Sequence, residues 1–279
     1  MSKPVLYSFQ LSVWAAAAEL ALHELELNDK VELKFLDLVH GENFNPEFIK
    51  LNPNATLPAL VADGKPYDST ITVVDYLVNY SSVKVTSRTS VTDTIHEDSI
   101  DPNFALLAVR DEAELTAKAG GFPKYFLENR EVGIKKFAST PEAAPFKALF
   151  DAKLGISAAV LGLYNGTAPA EFKAGFFAKS QALWTAIDAY IYTTFPSQLA
   201  ASSGPFIAGE KPGEDDFHVE AWFAHIATVL GAKSAADGLA VLEKSFGKAI
   251  PENVAAYWNT WSERESWKKV YVNNGRQLH

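Results

Sequence analysis

Apolar and polar positions first organise along the chain at residues 4–9, PVLYSF, which reads as a short strand. The run AAAAELALHEL that follows is built of strong helix formers, with Leu20, Leu22 and Leu25 as its apolar members. In VELKFLDLV, Val31, Leu33 and Phe35 alternate with charge, the period of a second strand. A polar loop with two Asn-Pro pairs comes next. LPALVA and KPYD then read as two short strands joined by Asp63-Gly64. ITVVDYLVNY closes the segment as a helix that places Ile71, Val74, Leu77 and Val78 on one face. The order predicts a compact domain of helices and strands over residues 1–80.

Residues 81–101, SSVKVTSRTSVTDTIHEDSID, are dominated by serine, threonine and aspartate, and the periodicity fades, as in a linker. From Pro102 the pattern turns helical and stays so. NFALLAVRDEAEL carries Phe104, Leu107 and Leu115 at helical spacing, and FFAKSQALWTAIDAYI, FHVEAWFAHIATVL and VAAYWNTWSERESWKKV follow. Breaks fall at Gly120-Gly121-Phe-Pro, Thr140-Pro141, Gly166-Thr-Ala-Pro169 and Ser203-Gly-Pro205. The expectation is an α+β N-terminal domain followed by an all-α domain over 102–279.

Composition narrows the function. A net charge of −9 argues against nucleic acid and anionic membrane surfaces, both of which call for a basic face. No run reaches the roughly 18 apolar residues of a membrane span, and MSKPVLYSFQLSVWAAAAEL lacks the layout of a signal peptide, so a cytoplasmic location is expected. With no cysteine there are no disulfides, thiolate metal sites or cysteine nucleophiles. His218 and His225 lie seven apart with no third ligand at useful spacing, so no metal is expected.

The chemistry concentrates in LPALVADGKPYDST, residues 57–70. A proline at the first position of a strand sacrifices little, because its missing N–H lies at the end of the ladder. A cis Leu57–Pro58 bond would turn the N–H and C=O of Leu57 outward, where they can pair with an extended peptide. Eleven residues after Leu57, Asp68-Ser69-Thr70 occupies a strand-to-helix junction. Ser69 suits an N-cap, where its hydroxyl and the first-turn N–H groups form an anion site, and Asp68 could hold an ammonium. One end thus fits peptide backbone and the other an amino-acid head group.

This segment, the strand order before it and the helical half after it resemble a cytosolic glutathione transferase with a thioredoxin-like N-terminal domain. Length and local wording resemble the fungal-specific classes, in particular the class called FuA. The resemblance implies that Leu57 and Pro58 pair with the cysteinyl backbone of glutathione while Asp68 and Ser69 bind its γ-glutamyl head. It implies a homodimer, with glutathione as co-substrate. Matching His23-Glu24 to the His-Glu of the plant phi class places Ser12 on the serine that donates a hydrogen bond to the glutathione sulfur. A hydroxyl at the positive end of a helix would stabilise a thiolate. Tyr7 and Ser8 compete for that role, and a plain N-cap is a compatible reading of Ser12.

Departures from the family also matter. Where relatives carry a His-Lys pair for the glycyl carboxylate, this chain has Asn43 and Phe44. Asn43 could donate a hydrogen bond there, Lys50 could restore the charge, and Thr56 stands where relatives often have glutamine. The capping box of a central helix retains Asp216 but has Gly213 at the cap. For a hydrophobic second substrate the candidates are Trp14, Phe104, Arg110, Phe122 and Tyr125, and extra residues between Glu128 and Glu171 would reshape that pocket or the dimer surface. The function implied is conjugation of glutathione to hydrophobic, aromatic electrophiles in detoxification. The alternative is a carrier that binds aromatic ligands without turning them over.

Overall fold

A computed structural model describes residues 3–272 and residue 278. The first strand, β1 (Val5–Ser8), leads into helix α1 (Val13–Glu24). After them come β2 (Glu32–Phe35), α2 (Pro46–Leu51), the hairpin β3 (Ala59–Ala62) and β4 (Lys65–Tyr67), and α3 (Thr70–Tyr80). The sheet order is β2-β1-β3-β4, with β1 parallel to β2 and antiparallel to β3, and β3 antiparallel to β4. Since β2 is an edge strand, only part of the alternating run 31–39 pairs. Phe35, its last member, is exposed rather than packed inside. In α3 the buried stripe is Thr70, Val73, Val74 and Leu77, one step round from the expected face, which leaves Ile71 at the rim of a cavity.

The stretch 81–101 is no loose connector. Thr89 caps a short helix, α4 (Ser90–Ile95), whose Thr92 and Ile95 are buried. Polar composition hid this because the partner is an acid distant in sequence. Asp215 accepts hydrogen bonds from the N–H and hydroxyl of both Thr89 and Thr92, at 2.7–3.1 Å. A threonine-rich segment can therefore be ordered by one buried carboxylate.

The main helices that follow the connector run through the rest of the described chain. They are α5 (Glu112–Lys118), α6 (Phe122–Ala138), α7 (Lys147–Tyr164), α8 (Ala170–Ala189), α9 (Phe195–Ala200), α10 (Glu214–Val229), α11 (Ala235–Phe246), α12 (Glu252–Ser262) and α13 (Glu265–Trp267), with a π-helical turn, Tyr190–Thr194, joining α8 to α9. NFALLAVRDEAEL is not one helix. Phe104 ends a 3-10 turn, and Asp111 starts α5 afresh by accepting from the Glu114 N–H at 2.9 Å.

The main core lies between the two halves, where α10, buried on nearly all sides, packs on the alanine-rich face of α1. Alanines at 15–18 let the helices approach closely. At the other end of α1, Arg264 grips Glu24 through two hydrogen bonds of 2.7 and 2.6 Å, and Ser266 joins it. The retained half of the capping box works as expected. Asp216 accepts from the N–H groups of Gly213, Ile207 and Ala208 at 2.8–3.1 Å. Glycine at the cap has a steric reason, since a Cβ there would lie 2.5 Å from that of Ala208.

Helices α6 and α7 form an arm that folds back over the first domain. Ile134, Ala143 and Phe150 of this arm pack with Phe44, Ile49 and Ala55. Contact is close enough that a Cβ on Gly133 would lie 2.2 Å from the carbonyl oxygen of His40.

Candidate active site

Ser12 caps α1, with its Oγ accepting from the Ala15 N–H at 3.2 Å. It is half-buried and belongs to the walls of two large cavities and of a smaller one beside Phe9, Leu106 and Phe126. The first, about 400 Å³, is bounded by Leu57, Pro58, Asp68 and Ser69. The second, about 340 Å³, is mainly apolar and lies between α1, α10 and the start of α6.

In the first cavity the Leu57–Pro58 bond is cis. Neither the N–H nor the C=O of Leu57 makes a hydrogen bond among the described residues. Ser69 is the N-cap of α3 in a reciprocal capping box. Its Oγ accepts from the Thr72 N–H at 3.2 Å, and its own N–H donates to Thr72 Oγ1 at 3.3 Å. Asp68 beside it is exposed and forms no ion pair among the described residues. A hydrogen-bonding backbone edge, a capped helix start and an unpaired acid therefore share one wall with the Ser12 hydroxyl. Such a set can hold an extended peptide with an amino-acid head at one end.

Two competing hydroxyls point elsewhere. Ser8 is fully buried and donates to Glu19. Tyr7 packs edge-on against Phe48, 5.4 Å between ring centres, and borders a different hollow of the surface.

Several sequence expectations need correction. Asn43 borders the first cavity but is fully buried, and its Nδ2 donates to the Ala55 carbonyl at 2.6 Å, so that amide group braces the 52–56 turn. Thr56 does border the cavity, but its carbonyl and hydroxyl oxygens already accept from Asn52. Lys50 is exposed, pairs with Glu47, and lines neither cavity.

Of the five hydrophobic-site candidates, only Phe122 lines the second cavity. Trp14 lies in the wall of the first one. It stacks on His96 with 3.7 Å between ring centres and donates to Asp101 at 3.1 Å. Phe104 packs edge-on against Phe176. Arg110 is tied to Glu114 at 2.6 Å, and Tyr125 faces solvent. Aromatic identity suggested these residues, but packing decides which way a ring points. The second cavity instead takes Leu106, Lys118, His225, Val229 and Tyr271. Burial lowers the pKa of Lys118, partly offset by Glu114, and its ammonium donates to the Ala108 carbonyl at 2.8 Å.

His218, one of the two histidines weighed for a metal, has a different neighbour, the half-buried His96. His218 and His96 meet at 3.0 Å beside Trp14. Burial pushes both imidazoles down, His96 to about 4, and each would oppose charging of the other. Sequence spacing gave no sign of this pair, because 122 residues separate its members.

Residues 3–79 match the family profile described as glutathione S-transferase, N-terminal domain. Glutathione S-transferase 1 of Dianthus caryophyllus is 40% identical over 75 residues, covering 27% of this chain and 33% of the relative. The match therefore spans about a third of that relative's length. Over nearly the whole chain, two solved structures share the fold. The β-etherase LigF of Sphingobium sp. strain SYK-6 aligns with a TM-score of 0.59 at 16% identity, covering 98% of this chain and 100% of that one. Glutathione transferase F2 of Populus trichocarpa aligns with a TM-score of 0.52 at 16% identity, covering 96% of each. Residues 3–79 thus match the glutathione S-transferase N-terminal domain, in a chain whose overall fold is the one shared with these two structures.

Proposed function

We propose that this protein is a serine-type glutathione transferase that joins the tripeptide's sulfur to apolar, aromatic electrophiles. The observation that carries this reading is the position of Ser12 at the boundary of two unlike cavities. On one side are the groups suited to a peptide, on the other an apolar chamber. A thiol held along Leu57 would meet Ser12 where α1 begins. A serine hydroxyl at this cap is of the chemical type that donates a hydrogen bond to sulfur. That bond, together with the positive end of α1, favours thiolate over thiol. Lys118 and Lys233 give the second chamber a cationic edge, which suits electrophiles that carry or develop negative charge on attack.

The resemblance of residues 57–70 supports the further reading of a cytosolic homodimer of the fungal class. The decisive experiment follows thiolate absorbance of bound glutathione across pH, in the wild type and in Ser12→Ala. The variant is expected to raise the apparent thiol pKa by about one to two units, the worth of a hydrogen bond to a charged group. An unchanged pKa would remove Ser12 from the role. Saturable binding of aromatic dyes with no conjugation of any electrophile would instead favour a carrier.

A further inference from the structure

The first cavity has a cation at its wall that the sequence did not bring forward. Arg130 lies on α6, in the arm of the helical domain, and borders the same space as Leu57 and Ser69. Its guanidinium rests 4.7 Å from the centre of the Phe44 ring and 5.8 Å from that of Phe126. No carboxylate among the described residues pairs with it. Its acidic neighbours in sequence are engaged elsewhere, Glu128 with Lys124 at 3.8 Å and Glu131 with Lys135. Burial alone lowers its pKa, to about 10, so it remains charged at neutral pH. Lys153, on α7, adds a second positive charge close enough for Arg130 to depress its pKa further after burial has lowered it. Lys153 also has no acid partner among the described residues.

A half-buried cation with no acid partner, at the wall of a cavity, favours an anion that enters that cavity. Glutathione has two charged ends of different kinds. Its γ-glutamyl head carries an ammonium beside a carboxylate and needs an acid as well as N–H donors, which Asp68 and the start of α3 provide. Its glycyl end is a carboxylate alone and needs only cationic donors. A planar guanidinium is suited to grip a carboxylate through two hydrogen bonds. We propose that Arg130, reaching across from the helical domain, binds the glycyl carboxylate of glutathione and makes its charge a condition of tight binding. This assignment rests on the glutathione reading above. It gives the arm a function: α6 and α7 complete the peptide site from outside the domain that holds the rest of it.

The test is calorimetric titration of the full-length protein with glutathione and with the analogue whose glycyl carboxylate is an amide. Wild type is expected to prefer the acid by about tenfold or more, the usual worth of a charged hydrogen bond. Arg130→Met should bind acid and amide alike, at close to the wild-type affinity for the amide. Arg130→Lys should recover part of the preference, since the charge returns without the fork. The melting temperature of Arg130→Met should hold or rise, as an unpaired charge gives way to an apolar side chain of similar length. Equal binding of acid and amide by wild type overturns the assignment. So does an acid preference that survives in Arg130→Met, which would leave Arg130 as a clamp on Phe44. If wild type binds neither compound at millimolar concentration, the glutathione reading itself fails and takes this assignment with it.

Discussion

Gly133→Ala tests the docking of the arm most directly. Alanine is normally the better helix residue by about 1 kcal/mol, so at an unconstrained site the change would stabilise α6. At this position the new Cβ would lie 2.2 Å from the His40 carbonyl oxygen, 2.7 Å from its carbon and 2.9 Å from the Gly41 Cα. All three are backbone atoms, so no side chain can rotate aside. The helix must withdraw by roughly 1 Å, and interiors packed like crystals tolerate such a shift poorly. Overpacking of this kind costs about 1–3 kcal/mol, which outweighs the propensity gain. Withdrawal also loosens Ile134 and Phe150 from Phe44 and Ile49, and moves Arg130 one turn earlier on the same helix. Gly155→Ala, in α7, is the matched control, because a Cβ there meets nothing within 4 Å. In chemical denaturation Gly133→Ala should lose about 1–2 kcal/mol while Gly155→Ala gains about 0.5–1. Melting temperatures should move apart by several degrees, at about 2–4 °C per kcal/mol for a chain of this size. Glutathione affinity should fall only in Gly133→Ala. If both variants are stabilised alike, α6 does not lie against His40 and the argument for a completed site collapses.

Two further perturbations separate structure from binding. Ser69→Ala removes half of a capping box and should cost about 1 kcal/mol in denaturation; glutathione affinity should drop as well, and an unchanged affinity would leave Ser69 as a cap alone. The His96–His218 pair gives a pH dependence with a definite sign. Because the folded protein holds His96 near a pKa of about 4 against 6.5 when unfolded, the unfolded chain binds the extra proton first. The stability it contributes is complete above pH 6.5 and drains away as pH falls toward 4, by at most about 3 kcal/mol. His96→Phe, which keeps a ring against Trp14, should flatten denaturation midpoints over that window; an unaltered slope would place the titration elsewhere.

Much of the first domain was legible because its signals are local. The Asp63-Gly64 turn, the alternation around β2 and the proline opening β3 each act within a few residues, and so does the capping of α1 and α3 by Ser12 and Ser69. Segments failed where the partner is distant. Residues 81–101 looked structureless because Asp215 supplies the acceptors that order Thr89 and Thr92 from 123–126 positions away. Trp14 looked like a substrate-pocket aromatic because nothing nearby in sequence announces His96 and Asp101.

The arm gives the sharpest case. In LENREVGIKK, helical spacing pairs Glu131 with Lys135 and leaves Arg130 with no acid at three or four residues' distance, while propensity treats Gly133 as a weak point in a helix. Both residues acquire a use once α6 lies on residues 40–44. The glycine becomes the condition for contact, since only a residue without Cβ fits against His40. The glutamates turn to Lys124 and Lys135, leaving the arginine's charge directed at the cavity. A helix can present a cation to another domain only if its own acids are occupied and its backbone can come close. Both conditions lie within twelve residues, 124–135, yet the close approach has no partner until the first domain is in place. An insertion that moved Gly133 by one residue would carry Arg130 about 100° around α6 and away from the cavity, with composition and helical propensity unchanged.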